Sequence, residues 1–416
     1  MRSYDYVIIG AGMSGVAFAR LLQLSGIDDF LLLERGDEPG GLCRSRMIDG
    51  HVLDTGGGHF LCTKHEEVYQ FVFKHLPREA FNRFDRVSKI NVAGVTVDYP
   101  LESNIWQMPP ERCADYLLSV MANGELRGLP APQSFEEWIR WKLGDRIAED
   151  YMLPYNRKVW GLEPSEMDVD WLHKIPRVNV REIVLACLCR SADASKIPSH
   201  GVFYYPKEGG FQRVFDAIAA PIMDRVECRA GVSMVEAHPE GGLIVQGKYR
   251  AARVVNTAPW PVLGDSPFLG KAAQSDLARL RHSSLVVSLH RTDVPTDAHW
   301  CYEPSMELGH HRDFFIPNYA PHSAKGGLMR ETNLKRWSGA PAGSLGHFYN
   351  EHAYPIPSRD WAGAVDKVLN RAEAAGVFGL GRWGQWQYFN SDVCIHEAMR
   401  LAVRLGHTQW QHSIKS

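Results

Sequence analysis

The chain has almost no net charge. Forty-six Lys and Arg stand against 48 Asp and Glu, a formal balance of −2 over 416 residues. A nucleic-acid binder or a protein of anionic membrane surfaces carries a basic excess, so neither partner class is expected. Cysteine is sparse as well. The eight cysteines (43, 62, 113, 187, 189, 228, 301 and 394) include no CxxC pair, and Cys187-Leu-Cys189 is too tight for a zinc site, so no metal is expected and the thiols read as reduced and cytoplasmic. No apolar run is long enough to span a bilayer, no charged-then-apolar leader stands before the first apolar run, and tandem repeats and low-complexity tracts are lacking. With 45% hydrophobic residues, a chain of this length can build more than one core, and two or three subdomains are expected.

What is present begins at once. Tyr6-Val-Ile-Ile-Gly10 is a hydrophobic strand entering the turn Gly10-Ala-Gly-Met-Ser-Gly15, followed by a helix-forming stretch at 16–24. Gly10 permits the tight turn, Gly12 lets backbone N–H groups approach a pyrophosphate, and Gly15 lets the helix pack on the strand. A second apolar strand, Phe30-Leu-Leu-Leu-Glu34, ends in an acid 24 residues after Gly10, where Glu34 would hold the ribose hydroxyls of an adenosine. Strand, turn, helix, strand and acid in that order define a dinucleotide cradle.

The residues after Glu34 choose the dinucleotide. Arg35 and the Gly40-Gly41-Leu42 run resemble the second glycine loop of the FAD-dependent amine oxidase and mutase superfamily, which nicotinamide dehydrogenases lack. Val377-Phe-Gly-Leu-Gly-Arg-Trp-Gly384, with Gly381 and Arg382, is a strand entering another glycine turn before a helical segment at 391–405, a second backbone nest for the flavin or its phosphates. Val232-Ser-Met-Val235 resembles the family's strand toward the adenine, and Ala252-Arg-Val-Val-Asn-Thr-Ala-Pro259 its return to the flavin. FAD is therefore the expected cofactor, gripped from both halves of the chain.

Periodicity divides the rest. Apolar residues fall at helical spacing in segments 110–119, 134–143 and 145–153, with Ser134 and Glu137 as a capping box, whereas 284–290, 300–302 and 346–349 read as strands of an antiparallel sheet. The expected fold is α/β: a discontinuous Rossmann-like FAD-binding domain (1–85, 198–262 and 356–416) interrupted by a β-sheet segment (86–99), a helical substrate domain (100–197) and an antiparallel sheet substrate domain (263–355).

Further motifs carry a narrower resemblance. Tyr151-Met-Leu-Pro-Tyr-Asn-Arg-Lys-Val-Trp-Gly-Leu-Glu-Pro164, Trp171-Leu-His-Lys-Ile-Pro176, Arg330-Glu-Thr-Asn-Leu-Lys-Arg-Trp337, Tyr354-Pro-Ile-Pro357 and Gly381-Arg-Trp-Gly-Gln-Trp-Gln-Tyr388 resemble, in family order, the UDP-galactopyranose mutases. The resemblance implies an isomerase that interconverts pyranose and furanose forms of a nucleotide-diphosphate sugar, with reduced-flavin N5 as covalent catalyst and no net redox change. It implies Arg330, Lys174 and His59 as the catalytic set, with Arg330 on the diphosphate and His59 beside the flavin, Tyr354 and Tyr388 as phosphate-binding tyrosines, Tyr155 and Trp160 near the nucleotide and the substrate-loop hinge, Asn318 as a substrate contact, and Val232, Tyr388 and Asn390 among the cofactor contacts. Lys174 stands where the family has a mobile-loop arginine, Cys62 where bacterial members carry a second histidine, and Asn390 where they are usually acidic. A different sugar or nucleotide is compatible with these departures. The alternative is an FAD-dependent oxidase or desaturase of the amine oxidase superfamily, which would not need the phosphate set. A homodimer is left open.

Overall fold

The computed structural model describes residues 1–169, 171–172, 179–191 and 201–415. Its first sheet has the order Val235–Ala237, Leu243–Val245, Tyr249–Asn256, Arg2–Ile9, Phe30–Leu33 and Val226–Glu227, and Val377–Gly379 pairs in parallel with Tyr249–Asn256. The central strands run parallel and are apolar on both faces. Ile8 and Leu32 enter one core while Val7, Ile9, Leu31 and Leu33 enter the other, the period-two alternation of a strand covered on both sides. Residues 232–234 precede the strand Val235–Ala237 instead of belonging to it, so the expected strand at 232–235 is corrected to a later start; Val232 is nonetheless buried.

The second sheet has the order Gly346–Pro355, His282–Arg291, Gly327–Asn333, Arg312–Phe315, Trp300–Tyr302, Ser88–Val92 and Val95–Asp98. It is antiparallel except where Trp300–Tyr302 runs parallel to Ser88–Val92, which brings the 86–99 segment into the same sheet.

Helices fill much of 101–191. Ser134 caps Phe135–Leu143 through the Glu137 N–H, and its hydroxyl donates to the Glu137 carboxylate, so only half of the reciprocal box forms. After Asp145–Ile147 the backbone widens into one π turn, Ala148–Met152, immediately before Pro154, whose missing N–H cannot serve a regular α ladder. The helix Leu153–Trp160 follows and ends at Gly161, which adopts the left-handed conformation. Asn333 fastens it to the second sheet by donating to the Val159 carbonyl (2.9 Å).

Candidate functional site

Three glycine turns meet at one helix N-terminus. Gly10 has φ +96°, and a Cβ there would lie 2.4 Å from Thr257 Oγ1; a Cβ on Gly15 would lie 2.1 Å from the Gly10 carbonyl oxygen. Both positions therefore exclude larger residues for internal reasons. Gly12 differs: it caps Met13–Leu24 in extended conformation, and no atom lies within 4 Å of where its Cβ would stand. That open space before the unpaired N–H groups of a helix start is suited to a phosphate. Gly41 lies against Gly12, its hypothetical Cβ 3.4 Å from the Gly12 Cα, and Gly40 donates to the Ala11 carbonyl (2.9 Å). From the far end of the chain, Gly381 (φ +73°) packs so closely that a Cβ would overlap Ser14 Oγ.

Glu34 closes the mouth of the turn, its carboxylate accepting from the Ala11 N–H (3.0 Å) and the Gly36 N–H (2.7 Å). Leu42 presses its carbonyl against Gly56, which tolerates no Cβ there. Arg35 points outward to an exposed ion pair with Glu351 (3.5 Å). Asn390 is the N-cap residue of Ser391–Arg404 but makes no side-chain cap bond, so a second helix start lies close to Gly381. These residues fit a dinucleotide: an open Gly12, an acid at the adjacent strand end and backbone donors.

Beside the Gly381 turn stands an aromatic cluster. Trp160 meets Tyr388 edge-on at 5.4 Å and Tyr354 at 6.0 Å, the two tyrosines meet at 5.1 Å, and the Arg382 guanidinium lies over both rings at 5.4 and 5.9 Å. Arg382 is held there by donating to the Phe389 and Ala353 carbonyls (2.8 Å each). Trp160 is buried with its indole N–H on Asn156, a packing wall and not a free donor. Tyr155 faces Tyr302 (5.4 Å) and His311 (6.1 Å). Burial raises the hydroxyl pKa of Tyr155, Tyr354 and Tyr388, so all three remain protonated donors at neutral pH.

The sheet supplies the second cation, and it is Arg312. Its guanidinium donates to Glu331 through Nε (2.8 Å) and pairs through Nη2 (2.6 Å), while the other Glu331 oxygen accepts from the Gly58 N–H (3.0 Å). Burial alone would raise the Glu331 pKa, but Arg312 overrides it and holds the carboxyl at about 2. The field of Arg312 also lowers the pKa of Tyr155, Tyr354 and Tyr388 against the larger effect of burial, which places it at the cluster. His59 donates from Nδ1 to the Gly57 carbonyl (2.8 Å); burial, then Arg382, depress its pKa to about 4, leaving a neutral ring with Nε2 as an acceptor.

Arg330 is not in this cluster. Register pairs Arg312 with Glu331 and Asp313 with Arg330, and side chains alternate across a strand, so Arg330 emerges on the opposite face, bound to Asp313 Oδ1 at 3.0 Å. Arg330, expected on the diphosphate, is therefore turned away from the tyrosine cluster, and Arg312 is the sheet arginine that faces it. Asn318, expected as a substrate contact, donates its amide to the Thr296 and Ala298 carbonyls (2.9 and 2.6 Å), which fastens the loop it sits on. Lys174 lies outside the described residues. Cys62 is buried, and burial raises its thiol to about 11, the behaviour of an inert packing group.

Arg312, Glu331, Tyr302 and His311 do not stand out in the sequence. The usable signal is the adjacency Arg330-Glu331: on one strand, opposite charges side by side must face opposite ways, so only one can face the site.

Residues 8–75 match the model of the NAD(P)-binding Rossmann-like domain. The chain is 29% identical over 181 residues to a probable UDP-galactopyranose mutase of Klebsiella pneumoniae, covering 42% of this chain and 46% of that one. It is 28% identical over 181 residues to the dTDP-fucopyranose mutase of Escherichia coli, covering 41% and 45%. The matches thus span under half the length of either curated relative. Among solved structures, reduced UDP-galactopyranose mutase superposes with a TM-score of 0.85 at 22% identity, covering 99% of this chain and 96% of that one, a likeness of fold.

Proposed function

We propose that this chain is a flavin-dependent mutase that interconverts the pyranose and furanose forms of a nucleotide-diphosphate sugar of the UDP-galactose kind, with FAD in the cradle and no net redox change. The observation that carries the reading is the grouping, beside the glycine turns, of the Arg382 guanidinium over the Tyr354 and Tyr388 rings with Arg312, whose field reaches both phenols. Bound in its reduced form, a flavin would supply a nucleophilic nitrogen for the anomeric carbon.

The protein's own part is to keep the nucleotide while the sugar ring changes size. Breaking the anomeric bond puts negative charge on the diphosphate. Two guanidiniums and two protonated phenols grouped together would receive that charge, and fixed donors need no rearrangement as it develops. Glu331 sets the Arg312 fork, and Trp160 backs both tyrosine rings. Neutral His59 offers Nε2 as an acceptor without adding charge, and Glu34, at the strand end beside the glycine turn, would take the adenosine ribose. An oxidase of amines or alkenes has no use for two cations and two phenols at its reacting end.

The test is to incubate dithionite-reduced protein with a panel of nucleotide sugars under nitrogen and to separate furanose from pyranose forms by chromatography. Furanose formed without stoichiometric consumption of reductant supports the reading. Product formed at full rate by oxidised protein in air, with peroxide in step, replaces it with the oxidase.

A further inference from the structure

Behind the cradle lies a cavity of about 700 Å³ between the helices Glu66–His75, Ser391–Arg404 and Trp410–Lys415. On its wall stand Glu67 and His396, with His65 beside them. The rings of His65 and His396 are stacked at 3.6 Å and 14°. His396 Nε2 lies 3.3 Å from Glu67 Oε1, and His65 Nδ1 lies 3.9 Å from the same oxygen. The three donor atoms all fall within 4.8 Å of one another. In a tetrahedral zinc site, bonds of about 2.0–2.2 Å put neighbouring donors about 3.4 Å apart. Closing the set takes more than an ångström of movement and the rotation of one imidazole out of the stack, because the ring lone pairs lie in the ring planes; His65 and Glu67, each more than a third exposed, have room to supply both.

A second observation points the same way. A ligating histidine usually gives its other ring N–H to an oxygen that fixes its orientation. His396 Nδ1 lies 3.9 Å from Glu397 Oε1, short of a hydrogen bond but one side-chain adjustment from it, and Glu397 is held by Arg400 Nη1 and Gln385 Nε2 (2.8 Å each). We propose that His65, Glu67 and His396 form a binding site for a zinc-class divalent ion, with Glu397 orienting His396 and a fourth coordination position turned to the cavity. Two imidazoles and one carboxylate suit zinc or cobalt(II) better than calcium or magnesium, which prefer oxygen. The absence of cysteine pairs conceals such a site, since His65 and His396 are 331 residues apart in the chain. The proposal is independent of the mutase reading.

The test uses the full-length chain, stripped with chelator and titrated with cobalt(II) while its visible d–d absorption is followed. Saturation at one equivalent, displaced by zinc, is expected. His65→Ala, Glu67→Ala and His396→Ala should each remove the tetrahedral spectrum, and Glu397→Gln should weaken binding about 10–100-fold. Far-UV circular dichroism and melting of the metal-free variants guard against misfolding, and the half-exposed His65→Ala is the decisive variant should either helix substitution unfold. No saturable spectrum in the native chain, or native binding by folded His65→Ala, overturns the site.

Discussion

Arg312 and Arg330 lie close together, on neighbouring strands, yet their substitutions should behave oppositely. Arg312→Ala leaves the Glu331 carboxylate buried at 1% exposure without its charge partner, which costs about 3–5 kcal/mol. Its loss should also abolish nucleotide-sugar turnover. The double variant Arg312→Met/Glu331→Gln, which removes both charges, should recover much of the stability and none of the turnover. Arg330→Ala breaks a partly exposed pair with Asp313 and should cost roughly 1 kcal/mol or less, with nucleotide-sugar affinity at the native level. Urea melts and calorimetric titration separate the cases, and an Arg330→Ala that loses affinity as Arg312→Ala does would return the diphosphate to the opposite face. Asn318→Asp removes both amide donors from two carbonyls and should destabilise by about 1–3 kcal/mol while leaving affinity intact.

Within the strand–turn–helix unit, the glycines separate folding from binding. Gly12→Ala meets no atom and needs no positive φ (its φ is −84°), so its melting point should stay near native while flavin occupancy of the purified protein falls. Gly15→Ala meets a carbonyl oxygen at 2.1 Å and should lower stability and occupancy together. Equal melting losses in the two variants would mean that the opening at Gly12 has no ligand to receive. These glycines were legible because local rules govern them: a parallel strand, a tight turn and a helix start follow from contiguous residues. The same holds for Phe135–Leu143 and for the strand His282–Arg291, read as 284–290. Arg312 was not legible, because which face of a strand meets the site depends on register with residues outside it, and a shift of one residue exchanges the faces. Trp160, Tyr354 and Tyr388 come together because the helix Leu153–Trp160, the strand Gly346–Pro355 and the segment after Gly381–Gly384 converge, which the resemblance implied and periodicity alone does not contain.

Across the whole molecule, buried histidines set the response to acid. Burial pushes His59, His290, His311 and His352 each down to about 4, whereas the same effect raises Asp54 to about 6 and Glu102 to about 7. Between about pH 4 and 6.5 the unfolded chain protonates the histidines and the folded one does not, so they make stability rise with pH; the two carboxyls, protonated in the fold and ionised outside it, oppose this. Four outnumber two, so the urea midpoint should climb from pH 4.5 to 6.5, and a flat or falling profile would contradict the buried neutral rings. One more property follows from how the cradle closes. Its third turn, at Gly381, reaches Ser14 only after Val377–Gly379 has paired with Tyr249–Asn256 and so joined the sheet that starts with Arg2–Ile9. At roughly 5–20 residues per second on the ribosome, the first two turns wait tens of seconds for the third. If the cradle takes the proposed dinucleotide, loading would await completed synthesis: a ribosome-bound chain arrested before residue 377 lacks the Gly381 turn that packs on Ser14, and should retain less flavin than the released chain.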